Sequence, residues 1–183
     1  AQQRLELLVT DFMSYELPSA FDCAIACEVM EHIADDSAFL KRLHAVLKDQ
    51  GQLILSVPAR MKYWSTHDEI VGHMRRYEWG ELTNLVSGAG FSNVRIYAYG
   101  FPFVNLLRLP RVWLAKRQAV AKASLTAVEQ TKASGIAQTA VMPSRIGWLI
   151  NPVTVYPLAL FSRMFNQLDL SDAYLLTALK KST

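Results

Sequence analysis

The chain has 183 residues, 51% of them hydrophobic, with 19 basic and 16 acidic side chains and a formal net charge of +3. That length supports one domain with a real core, and that composition excludes a disordered chain. The charge is too mild to imply a nucleic-acid partner. The two cysteines, Cys23 and Cys27, share one apolar segment with neither Cys-x-x-Cys nor zinc spacing, which predicts small buried thiols in a reducing, cytoplasmic setting.

In chain order, Leu5 to Thr10 (LELLVT) reads as a short buried strand stopped by Asp11. Asp22 to Cys27 (DCAIAC) reads as a second, followed at once by Glu28, Glu31 and His32. From Asp35 to Lys48 the residues Phe39, Leu40, Leu43, Val46 and Leu47 repeat at helical spacing, with Lys41, Arg42 and Lys48 suited to the solvent side and last turn. Asp49-Gln50-Gly51 reads as a turn, and Gln52 to Val57 as a strand ended by Pro58. Nearly continuous apolar runs of this kind belong to strands covered on both faces, as in parallel sheets.

Residues 59–77 read as a loop rich in aromatic, histidine and charged side chains. Trp79 to Ala89 reads as a helix closed by Gly88 and Gly90, and Asn93 to Tyr99 alternates as a strand. The stretch from Gly100 to Gly147 changes character, first apolar and basic, then rich in alanine and small polar residues, and predicts one or two helices of an appended lobe. Ala173 to Leu179 reads as a closing strand. Strands alternating with helices predict an α/β sheet. The expected division is a core over 1–100, a helical lobe over 101–165 and the closing strand within 166–183. The opening residues lack the make-up of a signal peptide, and the apolar window 146–165 is broken by Asn151, Pro152 and Pro157, which argues against a membrane span. Peripheral contact with a bilayer stays open, most of all for the basic-apolar run Leu106 to Arg117 with Trp113, whose plainer reading is a helix packed on the sheet.

The side chains that carry chemistry fall into two groups. If the segment after Cys27 is helical, Glu28, Glu31 and His32 share a face and make a workable set of divalent-cation ligands. In the plainer reading, Glu31 meets backbone or a basic residue and His32 closes the strand-to-helix turn. In HDEIVGHMRRY, His67 or His73 could take a proton from an acceptor hydroxyl, Asp68 could orient that histidine, and Arg75 or Arg76 could hold an anionic group. Here the plainer reading has Arg75 and Tyr77 tying the loop to the sheet, with the histidines satisfied by backbone. Met61, Tyr63 and Trp64 read as the wall of an apolar pocket or as core, and Cys27 as a thiol without a base to activate it.

The ordered set DF, FDCAIACEVMEHI and GQLILSVP, followed by a helix ending AGF and the strand NVRIYAY, resembles the second half of a class I S-adenosylmethionine-dependent methyltransferase. The HDEIVGHMRRY stretch is similar to small-molecule enzymes of that class, relatives of the ubiquinone-biosynthesis O-methyltransferases. The resemblance implies a Rossmann-like, mostly parallel sheet with the cofactor across the carboxyl ends of its strands. It implies that Asp11 and the Phe12 backbone meet the adenine and that Ala26, Cys27 and Glu28 line the floor near the sulfonium. It also implies a lipid, quinone or sugar-like acceptor and, through the Glu-x-x-Glu-His stretch, a divalent metal. A homodimer is compatible with it. The family's glycine-rich turn has no counterpart, since Gly51 is the first glycine. The chain therefore reads as the C-terminal part of a longer protein, with a non-catalytic binding half-fold as the alternative. A nicotinamide oxidoreductase is disfavoured by the lack of a Tyr-x-x-x-Lys pair. Nucleic-acid methylation is disfavoured by the lack of an Asn-Pro-Pro-Tyr stretch.

Overall fold

The computed structural model describes residues 5–18, 21–106 and 151–182. Four strands form one sheet: β1 (Phe21–Cys27), β2 (Leu47–Pro58), β3 (Phe91–Ala98) and β4 (Ala173–Lys180), in the spatial order β1-β2-β4-β3. β1 and β2 run parallel, with Ile25 opposite Ile54 and Cys27 opposite Ser56. β4 lies antiparallel between β2 and β3, pairing Leu55 with Leu176 on one side and Ile96 with Leu176 on the other. The result is an α/β fold with a mixed sheet.

The connection from β1 to β2 is α1 (Asp36–Val46). Asp35 caps it, its carboxylate accepting from the Ala38 N–H at 2.8 Å, which satisfies one of the free donors of the first turn. Phe39, Leu40, Leu43 and Val46 form the apolar stripe, all buried against the sheet. α3 (Trp79–Gly88) buries Leu82 and Val86. A short 3₁₀ turn, Met30–His32, precedes α1, and between β2 and α3 lie a second, Met61–Tyr63, and α2 (Thr66–Val71). The core is continuous, with Leu53, Leu55, Val57, Tyr77, Phe91, Tyr174 and Leu176 fully excluded from water. Two further helices, α4 (Phe103–Leu106) and α5 (Pro152–Ser162), belong to the part expected to be helical, and most of the residues between them, 107–150, lie outside the described residues, as does nearly all of the Leu106–Arg117 run.

Three expectations are corrected. Leu5 to Thr10 forms neither a strand nor a buried segment. Leu5 is 96% exposed, and the apolar side chains there have no sheet to pair with among the described residues. Cys23 and Cys27 are exposed rather than buried, because β1 is the edge strand and only Ala26 of its seven residues is buried. Asp49-Gln50-Gly51 does not end an element. β2 runs through it, absorbing the extra residues as an irregularity between the Phe21–Leu47 and Cys23–Gln52 pairs, with Gln50 at φ 61°. The 59–77 stretch also carries more structure than a loop, since α2 is closed by a capping box in which Ser65 and Asp68 exchange side-chain and backbone bonds.

Candidate functional site

At the carboxyl ends of β1 and β2 the chain takes up a conformation that few of its side-chain-bearing residues adopt, shared with Gln50, Arg60 and Asn93 among the described residues. Glu28 follows β1 with φ 53°, a left-handed backbone that costs a side-chain-bearing residue on the order of 1 kcal/mol. Its N–H still donates to the Ser56 carbonyl at 3.0 Å, and its carboxylate accepts from the Ser56 hydroxyl at 2.8 Å. Tyr99, just past β3, completes this polar edge. Burial and the Glu28 charge push its phenol up to about 12, against a hydrogen bond with Ser56. The strain, the carboxylate and the phenol thus meet at the edge of the sheet where open α/β folds bind ligands. Beyond Tyr99 a cavity of about 340 Å³ opens between α4 and α5, lined by Phe103, Val104, Val155, Leu158 and Ala159, with Arg163 among its polar lining residues.

The second group lies one turn further along. Glu31, His32 and His73 each offer a ligand atom, and these atoms all lie within 4.8 Å of one another. Glu31 is fully buried and neither carboxylate oxygen has a hydrogen-bond partner. Burial, with the Glu28 charge adding to it, pushes its carboxyl up to about 7. Nε2 of His32 and Nε2 of His73 stand 3.8 and 3.7 Å from Glu31 Oε1, beyond hydrogen-bond reach. The loops that carry them are stitched by the Met74 N–H donating to the Glu31 carbonyl at 2.9 Å.

Asp68 is the anchor behind this group. It accepts from His73 Nδ1 at 2.9 Å, from Arg76 Nε at 2.8 Å and from the Ser65 N–H at 2.8 Å, with Arg76 Nη2 in ion-pair contact at 2.8 Å. Burial alone would raise its carboxyl, but these donors outweigh it and hold the group far below the usual carboxylate range. Arg76 also donates to the Ala59 and Asp172 carbonyls, so it ties the loop to the ends of β2 and β4. Arg75 pairs with Asp36 at 2.7 Å, and the buried Tyr77 hydroxyl donates to the same carboxylate at 3.2 Å. Arg76 thus ties the loop to the sheet, as does the Tyr77 backbone, whose N–H donates to the Pro58 carbonyl at 3.0 Å, whereas Arg75 holds the loop to the start of α1 and His73 bonds the Asp68 side chain rather than backbone.

The structure groups the sequence candidates differently from their spacing. Met30–His32 is a 3₁₀ turn rather than an α-helix, so Glu28 points to Ser56 while Glu31 and His32 meet His73. His73 pairs with Asp68, whereas His67 is not among the three clustered ligand residues. Asp11 is exposed and closes its own turn, accepting from the Met13 N–H at 3.0 Å and the Ser14 hydroxyl at 2.8 Å. Phe12 packs edge-on against Phe39, with the Arg42 guanidinium over its ring. Ala26 is buried at the end of β1 and Cys27 exposed beside Glu28. Tyr63 and Trp64 bond to Leu170 and Glu69, away from the carboxylate group. Ser56 and Tyr99 were missed by sequence reading, since a serine in an apolar strand and a tyrosine at a strand end carry no motif. Register opposite Cys27 brings Ser56 in, and Tyr99 reaches the same edge from the end of β3 through its phenol's interaction with Ser56 and Glu28.

A family model described as a methyltransferase domain matches residues 4–96. A probable S-adenosylmethionine-dependent methyltransferase, found in two strains of Mycobacterium tuberculosis, is 31% identical over 94 residues, which is 50% of this chain and 34% of the relative. The match thus spans about a third of the length of these curated relatives. Among solved structures, a methyltransferase candidate from Bacillus halodurans superposes with a TM-score of 0.51 at 15% identity, covering 97% of this chain and 78% of that one. The complex of a Haloferax volcanii methyltransferase activator with a candidate enzyme gives 0.51 at 13% identity, over 96% and 61%. At these identities the likeness speaks for the fold, a Rossmann-like α/β sheet of the class I type. With its ordered strands, its polar carboxyl edge and a family match over half its length, the chain belongs to the methyltransferase-domain family.

Proposed function

We propose that this chain is part of an S-adenosylmethionine-dependent methyltransferase acting on a small-molecule acceptor at oxygen. The observation that carries the reading is the strained Glu28 at the carboxyl edge, hydrogen-bonded to Ser56 and electrostatically coupled to Tyr99. A carboxylate and an aromatic face suit a sulfonium cation, so this donor set fits the cofactor. When bound, the cofactor supplies an electrophilic methyl group. Glu28 stabilises positive charge beside it, and the edge residues Ala26 and Cys27 shape the floor. Asp11 is assigned to the adenine, which requires it to exchange its local Ser14 bond for the ligand. Both ring nitrogens of His73 face carboxylates, so the proton-accepting role for the acceptor hydroxyl is assigned to His67. The apolar cavity beyond Tyr99 supports an acceptor with a lipid- or quinone-like body, with the lobe over 101–165 assigned to acceptor binding. The setting proposed is cytoplasmic and peripheral to a membrane. No helix among the described residues is long and apolar enough to cross one.

The test is calorimetric titration of S-adenosylmethionine and its demethylated product into this chain and into a form extended upstream through its natural sequence. Binding by the extended form, weakened by Glu28→Gln, is the expected result. Absence of binding by either form overturns the reading.

A further inference from the structure

We propose that Arg60, with Lys62, Tyr63 and Asn105 around it, forms a binding site for the oxyanion, phosphate or carboxylate, of a small hydroxylated molecule. The site stands just past the carboxyl end of β2 and is made of side chains that the polar edge does not use. Within the methyl-transfer reading above, it holds an ionised group of the acceptor; oxyanion binding itself does not depend on that reading.

Two arginines of neighbouring loops make the contrast that points to it. Arg76, with a side chain 7% exposed, donates to the Asp68 carboxylate and to two backbone carbonyls. Arg60 has a side chain only 18% exposed, yet its Nε and Nη1 are closed off from water without a hydrogen-bond partner. Asp169 Oδ1 stands 3.7 Å from Nη1, beyond hydrogen-bond reach, and accepts from the Tyr174 hydroxyl instead. Buried donors left so are costly, and each calls for a partner. The flat Nε–Nη2 edge of a guanidinium matches two oxygens of a carboxylate or phosphate, so an oxyanion is the partner that satisfies it. Nη2 is not closed off as the other two nitrogens are, which gives that edge its entrance.

The backbone and the neighbours agree with this. Arg60 sits at φ 59°, held there as its N–H donates to the Tyr77 carbonyl at 2.8 Å, and strain of this kind gathers at ligand sites. Its guanidinium carbon lies 5.9 Å from the centroid of the Tyr63 ring, and the Lys62 ammonium 4.9 Å from the same centroid, so a second cation is at hand. At the far end of Tyr63 the hydroxyl accepts from Asn105 Nδ2 at 3.3 Å, while Asn105 Oδ1 is buried without a partner. An amide oxygen only accepts, so the ligand that satisfies it brings a hydroxyl. Oxyanion and hydroxyl together define the class of molecule.

The experiment is titration of glycerol phosphate and of glycerate into the chain isotope-labelled at arginine, followed by the Nε–H resonances and by calorimetry. One equivalent of at least one probe should bind and shift the Arg60 Nε–H signal, and the tighter of the two names the oxyanion. Vesicles of phosphatidylcholine with and without phosphatidic acid, put in place of the soluble probes, tell a lipid headgroup from a free ester. Arg60→Gln, which also assigns the signal, should weaken binding at least about tenfold, the worth of a hydrogen bond to a charged group. Lys62→Gln changes an exposed side chain and should weaken it about two- to fivefold with an unfolding transition like the parent's, so the test stands even if the Arg60 variant fails to fold. Absence of saturable binding by every probe, or binding that leaves the Arg60 Nε–H signal unmoved, overturns the proposal.

Discussion

β1 and β2 are neighbours in one sheet and look alike in sequence, FDCAIAC beside GQLILSVP, yet water reaches them very differently. Leu53, Leu55 and Val57 are wholly buried, whereas Ile25, paired in register with Ile54, is 66% exposed. Apolar patterning reports the environment a strand is written for, and hydrogen-bond neighbours decide how much of it a given set of residues supplies. β2 has a partner on each side, and β1 has one. The exposed Leu5, Leu7 and Val9 belong with β1 in this respect, as apolar residues without a surface to cover among the described residues. The polar edge shows the opposite balance. Asp68 and Arg76 are buried charges, and every contact that they need is present.

The largest effect should come from breaking that completeness. Arg76→Ala leaves the buried Asp68 carboxylate without its two guanidinium bonds and frees the Ala59 and Asp172 carbonyls. Removing one partner of such a buried pair costs about 3–5 kcal/mol, which urea unfolding monitored by circular dichroism would register. A loss under about 1 kcal/mol, the scale of a surface ion pair, would show that the anchor is not held as described.

Next comes the contrast between the strands. Leu53→Ala should cost about 2–5 kcal/mol, the range for emptying a buried leucine site. Ile25→Ala should stay within about 0.5 kcal/mol, as for an exposed position. Labelling of Cys23 and Cys27 by a thiol reagent gives the same contrast without mutation, since both thiols should react in the native state as fast as in a denatured control. A costly Ile25→Ala together with protected thiols would mean that the β1 face is covered in solution and that the two strands are alike after all.

Much of the scaffold was legible because its signals are local. Asp35 before an apolar stripe and glycines behind Val86 state α1 and α3 within a residue or two of their ends, whereas QLILSV marks the carboxyl half of β2 and leaves its start at Leu47 unannounced. LELLVT carries the same kind of signal and fails, because a strand is a pairing and no partner for it stands among the described residues. The candidate site was half legible for a related reason. Carboxylates and imidazoles after β1 announce a polar edge, but their grouping turns on whether residues 30–32 wind as an α-helix or as a 3₁₀ turn. That choice swings Glu31 toward His73 and leaves Glu28 to Ser56. Spacing within one segment cannot report a contact that a second loop delivers.

The smallest effect concerns the far side of the core, where α1 meets β3. His44 stacks edge-on against Phe91 with ring centroids 5.2 Å apart, and a Cβ on Gly90 would sit 2.8 Å from its Nε2. Burial, and then the nearby Lys180 charge, lower its pKa below the ordinary histidine value, against a bond that the ring donates to the Gly90 backbone and against the Asp49 charge. A histidine held neutral in the fold contributes stability that is fully present above the unfolded pKa, about 6.5. As pH falls below that value the unfolded chain takes up a proton that the native one resists, so stability is lost toward the lower folded pKa. Between about pH 7.5 and pH 5.5 the parent should therefore lose slightly more stability than His44→Gln, by some tenths of a kcal/mol for a partly exposed ring. Paired urea unfolding curves at the two pH values measure the difference. Parallel losses would show that the α1–β3 contact does not discriminate between the two states of the ring, and would leave the polar edge as the main place in this fold where protonation and packing are coupled.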